Sequence, residues 1–302
     1  MLRGDVNLAF EDYVKNNANF DRLNQRVLDV KEQKKYIDLW KSRYADQFKN
    51  NKPEESFLWN IRVHKSLKEV FCASAMYEES LIAKESRSWS SFYFLSYYSL
   101  FHAFLACVYM LPNESLENLS EITHSKLLNV FKSNFCLAKP NIIDENVCNI
   151  FPVLKYLREY YSYHMPPNQF LYEHKDNIKP DVVLPECLKA CFQLASLLSE
   201  VVESAYNKHH KVITDKAKYY QFVRNYYCMV NCRKHPITNQ YLLHYVDKAR
   251  LKETFEYPAP VQFVVELEHF SDEFGMYEGS EFPRFSGGTE ISPSRFVYDA
   301  IC

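Results

Sequence analysis

Apolar residues recur along most of this chain at three- and four-residue intervals, the period of a helix. Between Phe20 and Phe48 the positions Leu23, Val27, Val30, Ile37, Trp40 and Tyr44 keep a seven-residue rhythm, interrupted at Lys34. This predicts a long amphipathic helix, either docked on a core or serving as a coiled-coil arm. Asn50, Asn51 and Pro53 break it. His64 to Lys84 resumes, with Leu67, Phe71, Ser74, Tyr77 and Leu81 on one face. The stretch from Ser88 to Met110 is apolar nearly all round, which predicts the central rod of a bundle.

Leu111, Pro112 and Asn113 end that rod, and Ser120 is the expected N-cap of a helix through Leu127, Leu128 and Phe131. An irregular stretch around Lys139 and Pro140 leads to a helix carrying Leu154, Leu157 and Tyr161, with Pro152 placed in its first turn and Pro166 and Pro167 forbidding continuation. A loop of roughly twenty residues follows, a length often tied to function. Pro185 then opens a helix to about Lys208 with the stripe Leu188, Cys191, Ala195, Leu198, Val202 and Ala205. Beyond Val212 the expected elements are helices at Thr214 to Cys228 and Tyr241 to Glu253. The alternation of Val261, Phe263, Val265 and Leu267 predicts a strand. The fold class is therefore mainly α: an N-terminal helical arm (1–60), an antiparallel helical bundle (61–210) and a small mixed α/β C-terminal appendage (211–302).

Composition narrows the setting. Of 302 residues 47% are hydrophobic and 16% aromatic, with only five glycines, which favours long helices packed through rings over turn-rich sheet. A net charge of -2 supplies no global field towards nucleic acid or anionic membrane, so any RNA contact must be a local patch. Nine scattered cysteines, no apolar signal region and no run approaching about 18 apolar residues predict a cytoplasmic chain with no membrane partner. Glycine-rich phosphate loops, a GxSxG elbow and paired-carboxylate metal motifs are absent from the sequence, leaving common NTPase, hydrolase and two-metal nuclease chemistry without support.

The chemistry-bearing stretch is Leu154 to Pro167, LKYLREYYSYHMPP. It puts Arg158 and His164 six residues apart at the end of a helix. At about 100° per residue the two side chains stand roughly 120° apart, compatible with one ligand along a flank. An arginine suits phosphate geometry, and a histidine at a helix C-terminus suits proton transfer beside it. The plainer reading pairs Arg158 with Glu159 and leaves His164 as a cap.

With the helices laid out, residues from about 60 to 210 resemble the HEPN superfamily of helical-bundle proteins. Two stretches carry the likeness. Ser96-Tyr97-Tyr98-Ser99-Leu100-Phe101-His102-Ala103 is similar to the family's early aromatic helix. Leu157 to His164 is similar to its arginine, four to six residues, histidine signature. The resemblance implies a dimer in which two copies of the motif face one cleft, and a metal-independent endoribonuclease of toxin or defence type, with Arg158 and His164 catalytic. Departures are Glu159, where a small polar residue is common, and Pro166, where adenylylated members carry tyrosine. The alternative is a catalytically silent protein- or nucleotide-binding module.

Glu159, Tyr161, Tyr163 and His102 are the candidate substrate-binding residues, although His102 on the buried helix also reads as a satisfied core histidine and the tyrosines as packing. Cys228, Cys232, His235 and His244 have spacings compatible with zinc, but lie at an apparent helix end. No cofactor or metal is assigned. The expected partners are RNA, a second copy of the chain and a regulatory or antitoxin protein.

Overall fold

A computed structural model describes residues 10, 13, 18–49, 52–165, 178–210, 212–277 and 293–302, apart from the side chains of 272–277 and 293. Most of the loop after His164 and three of the C-terminal glycines, Gly279, Gly287 and Gly288, lie outside the described residues. Every regular element among those described is a helix; a single backbone bridge joins Lys234 to Tyr241.

The N-terminal segment forms two helices, α1 (Asp21–Arg26) and α2 (Val30–Lys49). The break falls at Val27 to Asp29, earlier than the expected interruption at Lys34. There Asp29 Oδ1 accepts from Lys31 N at 2.8 Å, and Gln33 Nε2 donates to the Val27 carbonyl at 2.7 Å. The α2 stripe is docked: Tyr36, Trp40 and Tyr44 are buried, Trp40 stacks on Phe135, and the Tyr44 hydroxyl donates to the Met110 carbonyl at 2.7 Å.

Helix α3 (Pro53–Glu85) begins eleven residues before the expected His64 and runs for 33 residues, about 50 Å. Pro53 opens it because the first helical residue needs no backbone donor. Its left-handed exit at Arg87 (φ 56) reverses the chain into α4 (Trp89–Tyr109). Ser88 N bonds the Ala83 carbonyl at 2.7 Å and Arg87 N the Lys84 carbonyl at 2.9 Å, so these two acceptors of the last turn are satisfied. At the far end of α4, buried Arg62 donates to the carbonyls of Tyr109 (3.1 Å) and Leu111 (3.2 Å) and to that of Glu114.

Helix α4 is the rod around which α3, α7 (Glu145–Glu159) and α8 (Pro180–His209) pack. Between α4 and α7 lie α5 (Leu116–Ser120) and α6 (His124–Phe131). Ser120 ends α5, and Thr123 is the N-cap of α6, accepting from Lys126 N at 3.3 Å. A π-helical turn, Lys132–Cys136, extends α6, and another, Tyr160–His164, extends α7. Pro152 is in the middle of α7, not its first turn; it is exposed, so the ring displaces no core side chain. Pro180, not Pro185, opens α8. Both α4 and α8 are long and apolar enough to cross a membrane, and both lie largely inside the bundle.

The C-terminal elements are α9 (Tyr220–Asn231), α10 (Tyr245–Glu256), α11 (Phe263–Tyr277) and α12 (Pro293–Ile301). The strand expected at Val261 to Leu267 is the opening of α11. Phe263, Leu267 and Phe270 are buried at helical spacing whereas Val265 is exposed, so the short alternation was the edge of a longer 3.6-residue pattern. Residues from Phe10 to Ile301 contribute to one hydrophobic core, with α12 against α3 and α8. A smaller cluster of Ala83, Trp89, Phe92, Tyr93, Leu157 and Tyr161 closes the end where α3, α4 and α7 meet.

Candidate functional site

Helix α4 is buried along most of its circumference, but one stripe breaks the pattern. Phe94, Tyr98, Phe101 and His102 recur at intervals of four, three and one residues, which places them on one face. All four retain exposure, and their neighbouring rings touch: Phe94 to Tyr98 at 4.7 Å, Tyr98 to Phe101 at 5.9 Å and Tyr98 to His102 at 6.5 Å between centroids. Helices α6 and α7 bring charged and titratable groups to this patch.

Arg158, in the last turn of α7, lies across it. Nη1 donates to the Tyr98 hydroxyl at 3.2 Å, Nη2 pairs with Glu159 Oε1 at 3.0 Å, and the guanidinium sits 4.9 Å from the Tyr97 ring centroid. Its Nε is buried without a hydrogen-bond partner. An orphaned donor of this kind costs about 1–3 kcal/mol, and it marks the guanidinium as under-satisfied in spite of Glu159. Lys155 approaches the same carboxylate at 3.9 Å.

His124, the first residue of α6, also belongs here. Its Nδ1 is hydrogen-bonded to the Tyr97 hydroxyl, and its ring packs on Tyr97 and Phe101 at 5.6 and 4.7 Å. Burial, then the positive charges of Arg158 and Lys155, push its pKa below the ordinary histidine range, against a smaller opposing effect of Glu159. The imidazole is therefore neutral at pH 7.

Also beside Tyr98, His102 Nδ1 is hydrogen-bonded to Glu69 Oε2, while Lys65 Nζ lies 2.6 Å from Glu69 Oε1. Burial works to raise the Glu69 carboxyl, but Lys65 and then His102 overcome it and hold the pKa at about 2. An ionised carboxylate only accepts, so Nδ1 carries the proton and, in the neutral ring, Nε2 is the basic nitrogen. A fifth of the His102 side chain is exposed against 3% of Glu69. This is the arrangement of a base oriented by a buried acid.

The residues singled out from sequence divide accordingly. Arg158, Glu159 and His102 share the patch. His164 is exposed on the π-helical turn, and no hydrogen bond or ion pair joins it to Arg158. The wider π turn departs from the 100° step assumed for a continuous α-helix, so the expected 120° separation does not apply. Tyr163 is 74% exposed, whereas Tyr161 is 5% exposed and stacked on Tyr93 at 4.7 Å. The cysteine-histidine set does not converge among the described residues. His244 caps α10 with Asp247, and His235 Nδ1 accepts from Ile237 N and Thr238 N.

His124 and Glu69 escaped the sequence reading. Lys65 and Glu69, four residues apart on an otherwise apolar helix face, were the available signal for one. No local pattern ties His124 to Arg158, thirty-four positions away. Compared with protein-family models, curated proteins and solved structures, the chain has no match.

Proposed function

We propose that this chain is a HEPN-like endoribonuclease that cleaves RNA by 2′-hydroxyl attack, with the Arg158 patch of α4, α6 and α7 as its site. The observation that carries the reading is that Arg158 and the Glu69-oriented His102 both lie against Tyr98, the guanidinium bonded to its hydroxyl at 3.2 Å and the imidazole with its ring centroid 6.5 Å from the phenol's. The guanidinium holds the scissile phosphate and stabilises the charge of the phosphorane. His102 Nε2 takes the 2′-hydroxyl proton. The 2′-oxygen bonds to phosphorus as the bond to the 5′-oxygen breaks, and that oxygen leaves with a proton. Phe94, Tyr98 and Phe101 offer ring faces for bases. The exposed His164 is the acid, brought to the cleft by a second copy, and the setting is cytoplasmic, in a toxin or defence role governed by a partner protein.

A second reading, a silent module that binds RNA or a nucleotide without cutting it, is favoured by the Glu159 carboxylate on Arg158 Nη2. Incubation of the purified chain with RNA separates the two. Cleavage should survive EDTA, leave 2′,3′-cyclic phosphate and 5′-hydroxyl ends, and fall a hundredfold or more in Arg158→Ala and His102→Ala with helicity unchanged, about the scale for losing one such group. Binding with intact RNA supports the silent module; Mg²⁺-dependent cutting or 3′-hydroxyl ends rejects the proposed mechanism.

A further inference from the structure

Away from the Arg158 patch, one group of side chains joins the C-terminal helices to the bundle. Glu253 on α10, with Glu266 and His269 on α11, each place one ligand atom within 4.8 Å of the others. Glu266 and His269 are three residues apart on one helix, so they share a face. Helix α3 supplies a further imidazole. His64 is 7% exposed, lies against the Phe270 ring, and points Nε2 to within 3.8 Å of Glu266 Oε2. Neither of its ring nitrogens has a hydrogen-bond partner. A buried imidazole with both nitrogens unsatisfied is a standing cost that a ligand in this space would relieve.

We infer that Glu253, Glu266, His269 and His64 form a site for a divalent transition metal of the zinc class. Two carboxylates and two imidazoles are an oxygen and nitrogen set that suits Zn²⁺ or Co²⁺, whereas Mg²⁺ and Ca²⁺ prefer oxygen alone. Metal–ligand bonds of about 2.0–2.2 Å let one ion bridge the 3.8 Å between His64 and Glu266. The ligand atoms of Glu253 and His269 already lie within 4.8 Å of that of Glu266, and His269 is exposed.

Arg250 is the obvious competitor, because Nη1 bonds Glu253 Oε2 at 3.1 Å and Glu266 Oε2 at 3.3 Å. Its guanidinium is pinned 4.3 Å from the Phe270 ring centroid. It bonds Oε2 of each carboxylate, which leaves Oε1 of Glu253 to the ion and makes Glu266 Oε2, the oxygen that faces His64, one that the guanidinium and the ion share, the role of an outer partner that orients metal ligands. Two carboxylates and one guanidinium sum to a single negative charge, so a dication is balanced to within one charge. The site would clamp α10 and α11 onto α3, and its role is structural, separate from RNA cleavage.

The test uses the full chain, stripped with chelator and titrated with Co²⁺ and Zn²⁺. One ion per chain is expected, with d–d bands of nitrogen and oxygen ligation, no thiolate-to-cobalt charge-transfer band, and a rise in melting temperature. His269→Ala, an exposed change that leaves the fold intact by circular dichroism, should weaken affinity at least tenfold. Glu253→Gln should do the same, while the double change Cys228→Ala and Cys232→Ala should have no effect. A thiolate band, binding unaltered by His269→Ala and Glu253→Gln, or no uptake at millimolar metal would overturn the assignment.

Discussion

Arg158 Nη2 lies 3.0 Å from the carboxylate of Glu159, its immediate neighbour in sequence. Adjacent residues on a helix point about 100° apart, so the contact requires the two side chains to turn towards each other. The carboxylate occupies a donor that an incoming phosphate would use. An ion pair as exposed as Glu159, at 41%, is worth about 0.2–1 kcal/mol. Glu159→Gln should therefore raise RNA affinity by about 1.4- to fivefold, measured by fluorescence anisotropy on a short single strand. Unchanged or weaker binding would mean that Glu159 positions Arg158 instead of competing for it.

If His164 acts across a dimer, two inactive variants should complement each other. Arg158→Ala mixed with His164→Ala should recover about a quarter of wild-type activity per dimer site after subunit exchange, because half the dimers are mixed and each has one whole site. Activity no higher than either variant alone would remove the shared cleft.

Glu200, on α8, offers a test independent of function. It is 4% exposed and its Oε1 has no hydrogen-bond partner. Burial, then the charge of Glu203, raises its pKa to about 8. Between the unfolded value near 4.3 and about 8, the folded chain holds a proton that the unfolded chain has released. Folding stability therefore falls as pH rises through that window, by on the order of 1 kcal/mol per unit. Glu200→Gln should flatten this decline and melt above wild type at pH 8. A parallel pH profile in the variant would show that Glu200 is not buried as an acid.

The turn between α3 and α4 predicts a stabilising change. Exposed Arg87 holds a left-handed backbone, φ 56, which is unfavourable for a side chain bearing a Cβ. Arg87→Gly should gain about 0.5–1 kcal/mol in urea unfolding, whereas Arg87→Val should lose more than that. Equal stability of all three would contradict the strained turn.

The sequence made some of this legible and hid the rest for identifiable reasons. The rod from Trp89 to Tyr109 could be read because nearly every position is apolar, and the docking of α2 because Tyr36, Trp40 and Tyr44 repeat on one side. The opening of α11 was misread because Val261, Phe263, Val265 and Leu267 fit alternation over seven residues, and only the addition of Phe270 restores the helical period. Arg158 could be singled out as a cation near a helix end. Its relation to His124 could not, since that contact is set by the packing of α6 on α4. The position of His164 was obscured because backbone bonding in the final turn changes from four-residue to five-residue spacing, which side-chain identity does not announce.

That last turn has a consequence for how the chain can vary. A π-helical turn is a helix carrying one surplus residue, so Tyr160–His164 can be regarded as an insertion absorbed locally. Removing Ser162 would let α7 continue with ordinary spacing and rotate Tyr163 and His164 around the axis, with Leu154, Leu157 and Arg158 left where they are. A single codon would thus re-aim the exposed end of the helix without disturbing its buried half.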